Sequence, residues 1–208
     1  MNKQKSLKIL EELKTVIPEP KCELDFNNNF ELLCAVLLSA QTTDKRVNIV
    51  TKELFYKYPN PYLLSIANYS DVYNIIESLG LAKNKTNNLI NLSKAIHNEY
   101  NDVVPNTLEE LVKLPGVGRK TANVVLALGF NIPAMPVDTH LHRMAIRLGY
   151  ISRNNDVSSA EEALKKYIPK EKWIEAHHLL LLFGRYYCKS INPKCDNCSL
   201  KEYCNYKK

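Results

Sequence analysis

The stretch Leu111–Leu126, LVKLPGVGRKTANVVL, decides how the rest of the chain is read. An apolar helical end runs into Pro115-Gly116-Val117-Gly118, and a second helical run starts at once with Arg119 and Lys120. Proline stops the first helix, and two glycines two positions apart permit a tight turn with no Cβ in the way. Such a turn leaves backbone N–H groups unpaired at the start of the second helix, where the positive end of the helix dipole also lies. Unpaired donors and dipole together make an anion site suited to a phosphate. A plain corner between packed helices is the bland reading, and a lone GxG would favour it. Here apolar helical runs flank the turn on both sides and two cations follow it directly, which favours the phosphate.

Outward from this hairpin, the periodicity is helical nearly everywhere. Leu7, Leu10, Leu13 and Ile17 form one stripe over residues 6–17, with Lys and Glu between them. Residues 29–40 are apolar all round, as a helix buried on every side would be. Periodic stretches at 44–58 and 85–100 lie either side of a shorter one at 70–79. Thr107 with Glu110, and Ser158 with Glu161, have capping-box spacing and predict helix starts. Residues 171–187 carry Trp173, Ala176, Leu180, Phe183 and Tyr187 on one face. Sustained period-2 alternation is missing, so the expected fold is all-α. The two prolines of Asn131–Val137, NIPAMPV, break the chain between a helix ending near Phe130 and one starting at Asp138, which marks a seam between two helical lobes. A seam of that kind would leave a cleft for a ligand.

The chain has 208 residues, 45% of them hydrophobic, which suits one large domain or two small ones and excludes a disordered chain. No run approaches the roughly 18 apolar residues of a membrane span. The start, MNKQKSLKILEELK, reads as an amphipathic helix and not as a signal peptide, so a soluble cytoplasmic protein is expected. A net charge of +6 favours a polyanionic partner without naming it. Of six cysteines, Cys22 and Cys34 stand apart, and Cys34 in ELLCAVLL reads as a buried free thiol. Cys188, Cys195, Cys198 and Cys204 are clustered, which in such a protein points to a metal site. Four thiolates suit zinc, and they equally suit an iron–sulfur cluster; the spacing alone does not separate the two.

Most lysines in a first helical turn are solvated surface charges, and two features set Lys120 apart. The helix dipole and the adjacent Arg119 both disfavour its ammonium form and favour a neutral, nucleophilic amine. Asp138, in Pro136-Val137-Asp138-Thr139-His140, sits where a helix N-cap belongs. Near a cleft, the same carboxylate would also stabilise a developing positive charge and help to deprotonate the lysine.

The hairpin resembles the helix-hairpin-helix element of many DNA-binding proteins, which grips the backbone without reading sequence. LPGVGRKTA, VDTHLHR and the spacing Cys-x6-Cys-x2-Cys-x5-Cys resemble the endonuclease III family of bifunctional DNA glycosylases, and LLSAQTTD at 37–44 extends the likeness over nearly the whole chain. The resemblance implies a six-helix lobe over 23–132, with the hairpin element at about 108–127, and an iron–sulfur lobe formed by 1–22 and 133–208. It implies excision of oxidised pyrimidines from duplex DNA, with Lys120 attacking C1′ to form a Schiff base and Asp138 as its acidic partner. β-Elimination then cuts the strand at the abasic site. Cys188, Cys195, Cys198 and Cys204 would ligate a structural [4Fe–4S] cluster, holding a loop with Lys189 and Lys194 against the DNA backbone. KSINPK supplies only those two cations where several are expected, with Lys201, Lys207 and Lys208 nearby. Gln41 and Leu81 would fill and wedge the duplex, Gly116, Val117 and Gly118 would meet a phosphate, and His140 and Arg143 would face the cleft. Arg143 has a structural ion pair as its alternative.

The expected partner is double-stranded DNA carrying a damaged base or abasic site, bound by a monomer. A non-catalytic binding module would need the hairpin but neither Lys120 nor Asp138. A monofunctional adenine glycosylase would carry a glutamate before the glutamine, where this chain reads AVLLSA, and would lack the hairpin lysine. A zinc hydrolase fails because four cysteine ligands leave no open position for water.

Overall fold

The computed structural model describes residues 1–206, so Lys207 and Lys208 lie outside the described residues. Every regular element among the described residues is helical, as the periodicity predicts. In chain order these are α1 (Lys3–Val16), α2 (Asn29–Leu38), α3 (Asp44–Lys57), α4 (Pro61–Ser65), α5 (Tyr69–Ile76), α6 (Ala82–Tyr100), α7 (Leu108–Leu111), α8 (Arg119–Gly129), α9 (Thr139–Arg147), α10 (Val157–Tyr167) and α11 (Trp173–Tyr186), with 3-10 turns at Lys170–Lys172 and Lys201–Tyr203. None of them is long and apolar enough to cross a membrane. The chain divides into two compact units, Glu23–Ile132 and Met1–Cys22 with Pro133–Lys208.

In the first of these, α2 is the central element. Phe30 to Leu38 are all buried, and Asn28 caps the helix by accepting the Glu31 N–H at 2.9 Å. Its neighbours α3, α6 and α8 cover it, which is why its sequence has no polar stripe. Each fully buried Leu here, such as Leu32, Leu33 and Leu38, contributes roughly 1.5–3 kcal/mol. The resemblance implies six helices in this unit, and the structure has a seventh, α4. Asn60 accepts the Leu63 N–H at 2.9 Å and Pro61 opens the helix, so a legible start signal precedes a helix too short to show a period. Thr107 caps α7 as predicted, accepting the Glu110 N–H at 3.3 Å. Glu110 does not complete the box; its carboxylate takes the Tyr100 hydroxyl at 2.5 Å and Lys113 at 2.6 Å.

The other unit packs α1, α9, α10 and α11 around Leu13, Leu141, Met144, Leu164, Leu179 and Phe183. The start of α10 differs from the expected Ser158 box. Asp156 is the cap, accepting the Ser159 N–H at 2.8 Å, and Glu161 pairs with Lys165 one turn on.

Candidate functional site

The hairpin between α7 and α8 is built as its residue types require. The Val117 N–H donates to the Leu114 carbonyl at 3.1 Å and closes the turn, which puts Gly116 at φ +77°. That φ favours glycine, and a Cβ on Gly116 would also come within 2.8 Å of the Asn88 side chain from α6. Gly118 is different: it is the N-cap of α8 in extended conformation, and a Cβ there would meet nothing within 4 Å. No side chain caps α8. Arg119 and Lys120 are exposed in the first turn that follows. Val117, expected beside the phosphate, instead has its side chain buried at 5% exposure and its N–H spent on the turn. Its part is to hold Gly116 and Gly118 in place.

Gln41 and Leu81 share an unusual backbone. Both have left-handed φ, +56° and +62°, although neither is a glycine. Each such residue costs on the order of 1 kcal/mol or more and persists only where its surroundings enforce it. Leu81 is the N-cap of α6, and its apolar side chain is 53% exposed. The two loops abut, since a Cβ on the intervening Gly80 would lie 3.6 Å from the Gln41 carbonyl oxygen.

Asp138 caps α9, and its Oδ1 accepts the N–H groups of His140 at 2.9 Å and Leu141 at 2.8 Å. His140 Nδ1 lies 3.1 Å from Arg143 Nη2, which can only donate. Arg143, expected to face a cleft and the DNA backbone, is turned onto the end of α11. Its Nη2 donates to the Gly184 carbonyl at 2.6 Å and its Nε to that of Cys188 at 3.0 Å. These internal bonds commit the guanidinium to anchoring α9 on α11.

Cys188, Cys195, Cys198 and Cys204 are free thiols that line one cavity of about 350 Å³. Burial raises the Cys198 thiol pKa, a bond from the Leu200 amide opposes this, and Cys188, Cys204 and Cys195 add to the rise. Among the described residues, no three His, Cys, Asp or Glu side chains are grouped to hold a single metal ion. The four sulfur donors that share this cavity are a ligand set suited to a metal centre. Lys189 and Lys194 are both exposed on the intervening loop, with Lys194 Nζ 5.4 Å from the centre of the Tyr187 ring.

Two residues of this architecture escape a sequence reading. Arg147, one turn after Arg143, is only 7% exposed. Its Nη1 reaches the Cys188 carbonyl at 3.2 Å, Cys188 Sγ at 3.1 Å and the Lys189 carbonyl at 2.8 Å, while the Tyr206 ring covers it 4.0 Å away. The spacing of the two arginines was the available signal. Lys85 of α6 is 3% exposed and donates to Thr42 Oγ1 at 2.9 Å; in an amphipathic helix it reads as a surface charge.

Comparison with known proteins agrees with this construction. Residues 34–170 match the HhH-GPD family, described as a superfamily of base excision DNA repair proteins. Endonuclease III of Bacillus subtilis is 46% identical over 195 residues, spanning 94% of this chain and 89% of its own. Endonuclease III of Escherichia coli K12 is 41% identical over 207 residues, 100% of this chain and 98% of its own. Among solved structures, a trapped endonuclease III–DNA covalent intermediate (an estranged-adenine complex) superposes with a TM-score of 0.94 at 44% identity, covering 99% of this chain and 96% of that one. A non-covalent endonuclease III–DNA complex matches with the same TM-score and identity. Hairpin, cysteine spacing, helical order and likeness over nearly the full length agree, and the chain belongs to the endonuclease III family within the HhH-GPD superfamily of base excision DNA repair proteins.

Proposed function

We propose that this protein is a base-excision DNA N-glycosylase and abasic-site lyase that uses Lys120 as nucleophile and removes oxidised pyrimidines from duplex DNA. The observation that carries this reading is the start of α8: an N-terminus with no side-chain cap, open space over Gly118, and the exposed Lys120 amine in the same turn. A DNA phosphate settles on the uncapped N–H groups, which fixes the backbone of the damaged strand next to the amine. The lone pair of Lys120 forms the C–N bond at C1′, and the C1′–base bond breaks with its electrons leaving on the base. The nitrogen lone pair then opens the C1′–O4′ bond, with O4′ taking up a proton, to give the protonated Schiff base; loss of a proton from C2′ expels the 3′ phosphate and cuts the strand. Asp138 accepts the proton from the attacking amine and stabilises positive charge on the sugar.

The base must leave the stack first, at a cost of a few kcal/mol. Gln41 fills the gap and Leu81 wedges the duplex, and the strained backbone that both share supports this assignment, because such strain gathers at working sites. His140 lines the DNA side of α9, and Lys189 and Lys194 add weak phosphate contacts. The four cysteines would hold a [4Fe–4S] cluster, whose contribution is structural. Arg147 ties the Cys188–Ser190 backbone to α9. The protein acts as a cytoplasmic monomer.

Borohydride trapping on a duplex carrying one thymine glycol tests the chemistry. Wild type should give a covalent adduct, whereas Lys120→Ala should give none and should lose excision by about 10³-fold or more with DNA affinity kept. Turnover retained by the variant would remove Lys120 from the role of nucleophile.

A further inference from the structure

Lys85 is the least expected side chain in its unit. Lysine is almost never fully buried without a partner of opposite charge, yet Lys85 is 3% exposed and no carboxylate among the described residues pairs with it. Its ammonium instead donates to Thr42 Oγ1 at 2.9 Å, and that hydroxyl passes its own proton on to the Ala40 carbonyl at 3.4 Å. Gln41 lies between the two residues so tied. On the main chain, the Lys85 N–H donates to the Leu81 carbonyl at 3.0 Å. One residue therefore grips both left-handed loops, by its side chain and by its backbone.

The cost of burying this amine is partly offset by position. Ser39 ends α2, and the Thr42 N–H folds back onto the Ser39 carbonyl at 3.1 Å, so the ammonium lies beyond the C-terminal, negative end of that helix dipole. Burial lowers the Lys85 pKa, consistent with an environment that supplies dipoles but no anion. A methionine of similar length would fill the space with no such cost, so packing alone does not explain a lysine here.

We propose that Lys85 is a positioning residue that clamps the Gln41 loop to the start of α6, so that Gln41 and Leu81 meet the duplex at a preset spacing. The proposal rests on the gap-filling reading of those two residues. Without the clamp, Gln41 relaxes from its left-handed backbone and must be re-ordered each time a base is extruded. The effect then falls on extrusion and not on the chemistry at C1′.

The test is single-turnover excision by full-length protein with its metal site loaded, at saturating enzyme. The substrate is a duplex with thymine glycol either paired with adenine or placed opposite an abasic gap, which leaves no orphan base to satisfy. Lys85→Met should slow excision about tenfold on the paired duplex, the worth of one charge-assisted hydrogen bond, and change it less than about twofold on the gapped one. Gln41→Ala should show the same split, and the double variant should be no slower than Gln41→Ala alone. Equal slowing on both duplexes, or additive losses in the double variant, would overturn the clamp. If Gln41→Ala costs nothing, the gap-filling reading fails and takes the clamp with it. Should Lys85→Met not fold, Thr42→Val removes the same bond from the loop side, and the same pattern is required of it.

Discussion

Two helix starts in this protein solve one electrostatic problem in opposite ways. At α9 the chain supplies its own anion: Asp138 accepts two backbone N–H groups through one carboxylate oxygen. At α8 the cap residue is Gly118, with no side chain and open space around it. The dipole and the orphan donors are alike at both ends, so the difference lies in who provides the negative charge. A helix that caps itself has finished its folding task. One that has no side-chain cap can take its anion from outside, which the proposed function assigns to a DNA phosphate. On the proposed function, the lysine in the turn after Gly118 would lie beside that phosphate, which would link folding chemistry at the hairpin to reaction chemistry.

Three changes beyond Lys120→Ala probe this difference between the two helix starts. Asp138 should prove the most sensitive. Asp138→Asn keeps an acceptor for the cap and should leave stability within about 0.5 kcal/mol, while excision falls on the order of 10²-fold for want of the charge. Asp138→Ala should lose the cap as well, about 1 kcal/mol by denaturant titration. Equal stability of the two variants would mean that the cap contributes nothing.

Next comes conversion of α8 to the self-capped kind. Gly118→Asp has room for its side chain and extended backbone suited to a cap. Thermal melting should show a gain of about 0.5–1 kcal/mol, while affinity for abasic-site duplex should drop on the order of 10²-fold as carboxylate and phosphate compete for the same donors. A variant that is stabilised and still binds normally would show that no phosphate uses this end.

The smallest effect separates the two hairpin glycines. Gly116→Ala should destabilise the protein by about 1–3 kcal/mol, because its φ is left-handed and Asn88 blocks the Cβ. Gly118→Ala should cost less than about 0.5 kcal/mol by the same melt, since nothing in the protein itself opposes a Cβ there. Equal losses would place the demand for glycine at 118 inside the fold instead of at the ligand.

These glycines also show where sequence reading succeeds. Turn chemistry is local, so Pro115 and the paired glycines announce the hairpin by themselves. The same holds for the Thr107 cap, the all-apolar α2 and the four clustered cysteines, each a matter of residue type and short spacing. Even a miss such as α4 was a local signal, Asn60-Pro61, overlooked because five residues show no period. Asp156 caps α10 in place of Ser158 because the backbone is extended at Asp156, while Ser158 already lies inside the helix.

Long-range packing decided the rest. A lysine in helical register looks the same whether solvent or Thr42 awaits it, and the burial of Lys85 depends on a loop 43 residues away. Arg143 and Arg147 turn inward because the end of α11 presents carbonyls to them across more than 40 positions. Gln41 and Leu81 accept left-handed backbone that neither residue type favours, with Thr42 and Lys85 binding their loops together. The helical plan, the hairpin and the chemistry it offers are legible in the residues alone, since these follow from backbone geometry over a few positions. Which charged side chains reach solvent and which hold the frame together is settled by packing, because burial is a property of what packs above a residue and not of its neighbours in the chain.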